Sequence, residues 1–213
     1  MLGRSITRNG VLLGLFAVIT TLLIAGTYLQ TRDRIAEEQR RAEEKALLEI
    51  VPRARHDNSM LDDTLLLPAD AAGLGLQEDK RVYIARQGRE AVAVILPVTA
   101  PDGYSGGIDL IVGINADGTV AGVRTLAHKE TPGLGDAVEI KKSDWILDFN
   151  GRSLSNPAPA GWAVKKDRGV FDQFTGATIT PRAVVAATRR ALEYARTHQK
   201  TLFAPANAGE GDA

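Results

Sequence analysis

The sequence predicts an α+β protein in which an N-terminal transmembrane helix and a helical stalk precede one domain built from an antiparallel sheet and packed helices. Three observations predict it. The window 9–31 holds none of the chain's 26 basic and 26 acidic residues. A series of β-rich runs separated by turn residues fills 81–126, and an apolar stripe at helical spacing begins behind Pro181.

Val11 to Ile19 and Leu22 to Ala25 are the apolar heart of the charge-free window, and about 20 residues suffice to cross a bilayer as a helix. A buried core helix seldom avoids every charge over such a length. A cleaved signal peptide would carry an apolar stretch of about 7–15 residues closed by small residues. Here the run is longer and ends in Gly26-Thr27-Tyr28-Leu29-Gln30 without an A-x-A site. The reading is an uncleaved single-pass anchor over 9–31 that meets membrane lipid, with a tail 1–8 before it and Tyr28 at the interface. Arg4 and Arg8 precede the span, whereas Arg32, Arg34, Arg40, Arg41 and Lys45 follow it. That count would keep the C-terminal body inside, but long domains translocate largely regardless of flanking charge. The residues by themselves leave the orientation open.

Residues 32–51 are rich in helix formers, and Arg34 with Glu38, Glu37 with Arg41, and Arg40 with Glu44 fall at i,i+4. Ala46, Leu47, Ile50 and Val51 add an apolar face before Pro52 stops the helix. This segment reads as a stalk. From Pro52 to Glu78 there is little periodicity apart from Leu65-Leu66-Leu67-Pro68, and connecting structure with one helical turn is expected. Strands follow at 81–86, 91–96, 108–114 and 119–126, joined through Gln87-Gly88-Arg89-Glu90 and Asn115-Ala116-Asp117-Gly118. A modest helix is expected at Ser143 to Phe149 and a clear one from Pro181 to about Lys200. In the latter Val184, Ala187, Ala191, Leu192 and Ala195 form one stripe. The domain so delimited is 52–203, and 204–213 reads as a disordered tail.

Composition excludes several kinds of chemistry. A net charge of zero argues against nucleic-acid binding, and the lack of cysteine rules out disulfides, thiolate nucleophiles and cysteine-ligated metals. Two loops remain. His128-Lys129-Glu130-Thr131-Pro132-Gly133-Leu134-Gly135 ends the last strand. It can let backbone approach a ligand or be a tight turn only, and His128 with Glu130 lacks a third metal ligand. Asp172 to Arg182 places Thr178 just ahead of a helix start, with Thr180 as N-cap and Pro181 in the first turn. Free N–H groups and the helix dipole there would stabilise a phosphate. Threonines that only cap the helix explain the same residues equally well.

The segments Ala100-Pro101-Asp102-Gly103-Tyr104-Ser105-Gly106, Glu130 to Asp136, and Phe171 to Val184 resemble the RnfG family, the flavoprotein component of the Rnf electron-transport complex. The resemblance extends over nearly the whole chain, anchor included. It implies an FMN-binding domain in which the last threonine of Thr175-Gly176-Ala177-Thr178 carries FMN through a phosphoester. A magnesium-dependent flavin transferase would install it from FAD. By the same resemblance Thr175, Gly176 and Ala177 form the turn that lets transferase and phosphate approach, and Asp172 helps the transferase recognise the motif. Thr131, Gly133 and Leu134 belong to a loop that contacts the flavin.

The resemblance further implies a bacterial inner-membrane protein with its flavin domain in the periplasm, against the lysine and arginine count. Its partners would be the other components of the Rnf complex. Its work would be electron relay between ferredoxin and NAD coupled to ion movement, or keeping a redox-sensing regulator reduced. Two rival readings are the related C component of the sodium-pumping NADH:quinone reductase, and a membrane-tethered scaffold without a redox cofactor.

Overall fold

The computed structural model describes residues 2–206. They form two compact units, one ending at Lys45 and the other beginning at Ala46. Helix α1 (Leu2–Ile50) supplies all of the first. Its apolar side chains, Leu13, Phe16 and Leu23 among them, are exposed, and the helix is long and apolar enough to cross a membrane. The hydroxyls of Thr20, Thr27 and Thr31 donate to the carbonyls of Phe16, Leu23 and Thr27, each at 2.8 Å. These three hydroxyls are thereby satisfied without water, as a hydrocarbon environment demands. Of the expected charge pairs, Arg41 meets Glu37 at 2.7 Å. It also takes Glu38 at 3.0 Å, which Arg34 was expected to hold.

The second unit is a meander of five antiparallel strands in the order β1 (Thr64–Leu67), β2 (Lys80–Gln87), β3 (Glu90–Ala100), β4 (Ile108–Asn115) and β5 (Val120–Ala127). Alternation along β3 and β4 sends Val94, Leu96, Val98, Leu110, Val112 and Ile114 to one face. Ala93, Ile95 and Ile111 go to the other. Strand β1 corrects the expectation of connecting structure at Leu65 to Leu67, whereas the one helical turn expected between Pro52 and Glu78 is present as a 3-10 turn at Arg53–Arg55. Thr64 pairs with Tyr83 and Leu67 with Lys80. Four residues without clear alternation carry no strand period, and only the open edge of β2 makes them one.

Helix α2 (Ile179–Thr197) covers the first face. Val184, Ala187, Ala191, Leu192 and Ala195 are buried there as their spacing predicts. The helix stops at Thr197, and a separate turn, α3 (Gln199–Leu202), follows. The segment 144–149 is a 3-10 helix rather than an α-helix, begun where the Ser143 hydroxyl accepts the Trp145 N–H at 3.2 Å.

The last turn of α1 covers the second face, where Leu47, Ile50 and Val51 pack with Met60 against Ala85, Ala93 and Ile95. The seat is made by two glycines. Gly113 and Gly122 are register partners across β4 and β5, and a Cβ on them would stand 2.2 and 3.4 Å from Ile50 Cγ2. Arg124 adds a 3.1 Å bond from Nε to Glu49 Oε2. The globular body therefore starts at Ala46, not at Pro52, and the end of the expected stalk is core. Of the expected tail, 207–213 lie outside the described residues. Ala204 and Ala206 are held by the β2–β3 hairpin: the Ala204 carbonyl accepts from Arg86 Nη1 at 2.8 Å, and the Ala206 N–H donates to the Arg89 carbonyl at 3.0 Å.

Candidate functional site

The two loops singled out in the sequence meet at the N-terminus of α2. In the first, the N–H groups of Leu134 and Gly135 both donate to the Thr131 carbonyl, at 3.1 and 3.0 Å. The Gly133 N–H donates to Asp136 Oδ1 at 2.8 Å. In the second, the Ala177 N–H donates to the Phe174 carbonyl at 3.1 Å, closing a β-turn over Thr175 and Gly176. Gly176 has φ +81°, the conformation that the third position of such a turn reserves for glycine. The loops touch: a Cβ on Gly176 would lie 3.4 Å from Leu134 Cδ2.

The second loop is pinned from behind. Phe174 sets its ring edge-on to Trp145 at 4.9 Å between centroids, and Trp145 Nε1 donates to the Asp172 carbonyl at 2.8 Å. Trp145 in turn packs on the Phe149 and Phe171 cluster. The exposed Asp172 carboxylate pairs with Lys165 at 2.6 Å. Arg182, in the first turns of α2, holds Asp167 through Nε and Nη2 at 2.5 and 2.6 Å. Those hydrogen bonds lower the Asp167 pKa below the usual carboxylate value and raise that of Arg182.

Between the loops lies a cleft of about 310 Å³, lined by Thr131 and Leu134 from the first and by Gly176, Ala177 and Thr178 from the second. Thr175 and Gly133 stand outside the lining and shape the turns. Tyr104, Glu130, Gly135, Ile179 and Thr180 complete the wall. Gly135 closes the loop that sequence reasoning assigns to the ligand, but that reasoning does not single out Tyr104, Glu130, Ile179 or Thr180 for it. Tyr104, 68% exposed, lies in the turn-rich segment that carries the resemblance, which is the available signal.

The capping expectation needs correction. Helix α2 begins at Ile179, so Thr178 occupies the N-cap position, yet it makes no side-chain cap hydrogen bond. Thr180 is fully buried inside the first turn, and its hydroxyl donates to Glu130 Oε2. Neither threonine serves as a side-chain cap. Helix α2 starts one residue ahead of Thr180, whose hydroxyl turns to a buried carboxylate. The N–H groups of Ile179 and Thr180, without intrahelical acceptors, stay beside the cleft, while Pro181 has no N–H and that of Arg182 donates to the Thr178 carbonyl at 3.4 Å.

His128 and Glu130 do not converge. His128 Nδ1 accepts the Glu130 N–H at 3.1 Å, so its proton sits on Nε2, which meets Glu139 Oε1 at 2.8 Å.

The residues fit a phosphate-bearing aromatic ligand. The volume is at the lower end of the range for small-molecule sites, about 300 Å³ and upward. Leu134, Tyr104 and Ile179 offer apolar surface at its mouth. No lysine or arginine lines the cleft among the described residues, so an anion there would be met by the helix end.

Residues 103–193 match the family model of the FMN-binding domain, and residues 1–50 match that of the RnfG N-terminal region. The G component of the ion-translocating oxidoreductase complex of Pseudomonas aeruginosa is 52% identical over 205 residues, covering 96% of this chain and 95% of that protein. The proteins of the same name from Shewanella loihica and Vibrio cholerae are 50% and 43% identical. They cover 96% and 97% of this chain, and 96% and 98% of their own lengths.

Proposed function

From the premise that the chain belongs to the RnfG family of ion-translocating oxidoreductase complexes, we propose that it relays electrons on an FMN esterified through its phosphate to Thr178. The chain is a flavoprotein component of such a complex, with an FMN-binding domain and a candidate membrane-spanning helix. In the proposed reading the domain stands in the periplasm. The complex moves electrons between ferredoxin and NAD, or keeps a redox-sensing regulator reduced, and couples the transfer to ion movement.

The observation that carries the covalent reading is the Thr178 hydroxyl, which lines the cleft at the start of α2 and caps nothing. A flavin transferase loads it. The Thr178 Oγ attacks the phosphorus of the FMN half of FAD, the bond from that phosphorus to the AMP oxygen breaks, AMP leaves, and the hydroxyl proton passes to the transferase. When bound, the isoalloxazine supplies the reversible electron uptake. The protein's own part is to hold and orient it. The N–H groups of Ile179 and Thr180 receive the phosphate, and Gly176 lets backbone come close to it. Tyr104 and Leu134 shield the ring from water. Asp172, exposed beside Lys165, presents the motif to the transferase, and the helix over 9–31 keeps the domain at the membrane, raising the effective concentration of its partners in the complex.

The reading is tested by co-expressing the full chain with a flavin transferase and inspecting a denaturing gel. The wild type should carry a yellow fluorescent band and Thr178→Val none. Fluorescence retained in the variant would place the acceptor elsewhere.

A further inference from the structure

We infer that Glu130 is the positioning residue of the flavin acceptor site: its buried carboxylate clasps the first turn of α2 and the turn after β3, and so holds the Thr178 hydroxyl toward the cleft. The inference deepens the reading above and rests on Thr178 being the acceptor.

Glu130 is 4% exposed. Its Oε1 accepts the Ser105 N–H at 2.9 Å, 25 residues away in sequence, and its Oε2 accepts the Thr180 hydroxyl, 50 residues away. Both oxygens act as acceptors. Three segments therefore converge on one side chain. The space around it is closed: a Cβ on Gly135 would fall 2.9 Å from Glu130 Cβ and 3.0 Å from Thr180 Oγ1. Burying a carboxylate costs free energy that an apolar filler would not, so filling space does not account for its presence here.

What the carboxylate achieves follows from its partner. Thr180 lies two residues beyond Thr178, with Pro181 next to it fixing the backbone of the first turn. Thr180 stands inside the first turn and not at the N-cap position, and its hydroxyl is committed to Glu130. The clasp thus sets the rotation of the first turn, leaves the N–H groups of Ile179 and Thr180 to an incoming phosphate and keeps Thr178 at the cleft wall. Misplacement of a reacting group by about 1 Å costs on the order of a hundredfold in rate.

The test measures the rate at which a flavin transferase moves FMN from FAD to the full-length chain, followed by intact mass, in parallel with the unfolding midpoint of each variant. Glu130→Gln keeps an acceptor for Ser105, and its amide can donate to the Thr180 hydroxyl, which accepts as readily as it donates. It should load at nearly the wild-type rate. Glu130→Ala should load about tenfold to a hundredfold more slowly. Thr180→Val, close to isosteric, should be slow while Thr180→Ser is not, and this pair decides the matter if Glu130→Ala does not fold. Equal rates for Thr180→Val and wild type, or an equal loss in Glu130→Gln and Glu130→Ala, would overturn the clasp. Failure of the wild type to take up flavin would instead remove the acceptor reading, and the clasp with it.

Discussion

Gly113 presents its bare backbone to Ile50: a Cβ at position 113 would lie 2.2 Å from Ile50 Cγ2. The last turn of α1 is thus sunk into the back face of the sheet. Gly113→Ala should destabilise the body by about 1–3 kcal/mol through overpacking, and Ile50→Ala by about 2–5 kcal/mol through the cavity left behind. Denaturant unfolding of the full chain in detergent checks both. An unchanged midpoint for the two variants would mean that the helix end is not part of the core.

The β-turn before Thr178 depends on Gly176 at φ +81°. Gly176→Ala should cost about 1–2 kcal/mol of backbone strain and press against Leu134. Flavin loading should fall more than the unfolding midpoint does, because the strain is local to the acceptor loop. Parallel measurement of transfer rate and thermal unfolding separates the two.

Trp145 ties the same loop through Nε1 and the Asp172 carbonyl. Trp145→Phe keeps the aromatic packing but removes that donor, and should cost about 1 kcal/mol. Hydrogen exchange should rise at residues 172–177 before it rises in the sheet. Uniform exchange across the domain would show that the tryptophan supports the core rather than the loop.

Acid should weaken two links together. The Asp167 carboxyl is held below its ordinary value by its hydrogen bonds to Arg182, and Asp117 is held below it by the side chain and N–H of Thr119. A carboxyl with a folded-state pKa below the unfolded one contributes stability that is present above the unfolded value, near 3.8. That contribution is lost as pH falls through the folded value. Asp167→Asn and Asp117→Asn should therefore lower stability slightly at neutral pH and flatten the acid limb of the profile, with no change where both carboxyls are already protonated. Both groups are solvent-exposed, so the effects are small.

The absence of cysteine permits a direct test of orientation. Lys200→Cys, at an exposed position after α2, should react in intact cells with a maleimide that passes the outer membrane but not the inner one. Labelling only after the inner membrane is broken would put the domain in the cytoplasm.

Much of this architecture is legible in the sequence, for physical reasons that differ by element. Strands β2 to β5 show because valine, isoleucine and leucine alternate between turn residues, and α2 shows because its apolar stripe keeps helical spacing. Strand β1 does not show, since Leu65 to Leu67 carry no period and become a strand only at the edge of β2. The packing of Ile50 does not show either, because its seat is a pair of glycines more than 60 residues away. At the site, Thr131, Leu134, Gly176, Ala177 and Thr178 could be named from loop chemistry and family resemblance. Glu130 and Thr180 could not be joined: local sequence makes Thr180 the natural N-cap, and only the fold brings a buried carboxylate 50 residues distant to claim its hydroxyl.

One oxygen atom, Thr178 Oγ1, should carry the flavin, and mass spectrometry can locate the bond. Trypsin should release residues 169–182 as one peptide containing Thr175, Thr178 and Thr180. From protein made alongside a flavin transferase, that peptide should be heavier by one FMN less one water, and fragmentation should put the added mass on Thr178. An unmodified peptide, or the added mass on Thr175 or Thr180, would contradict the account.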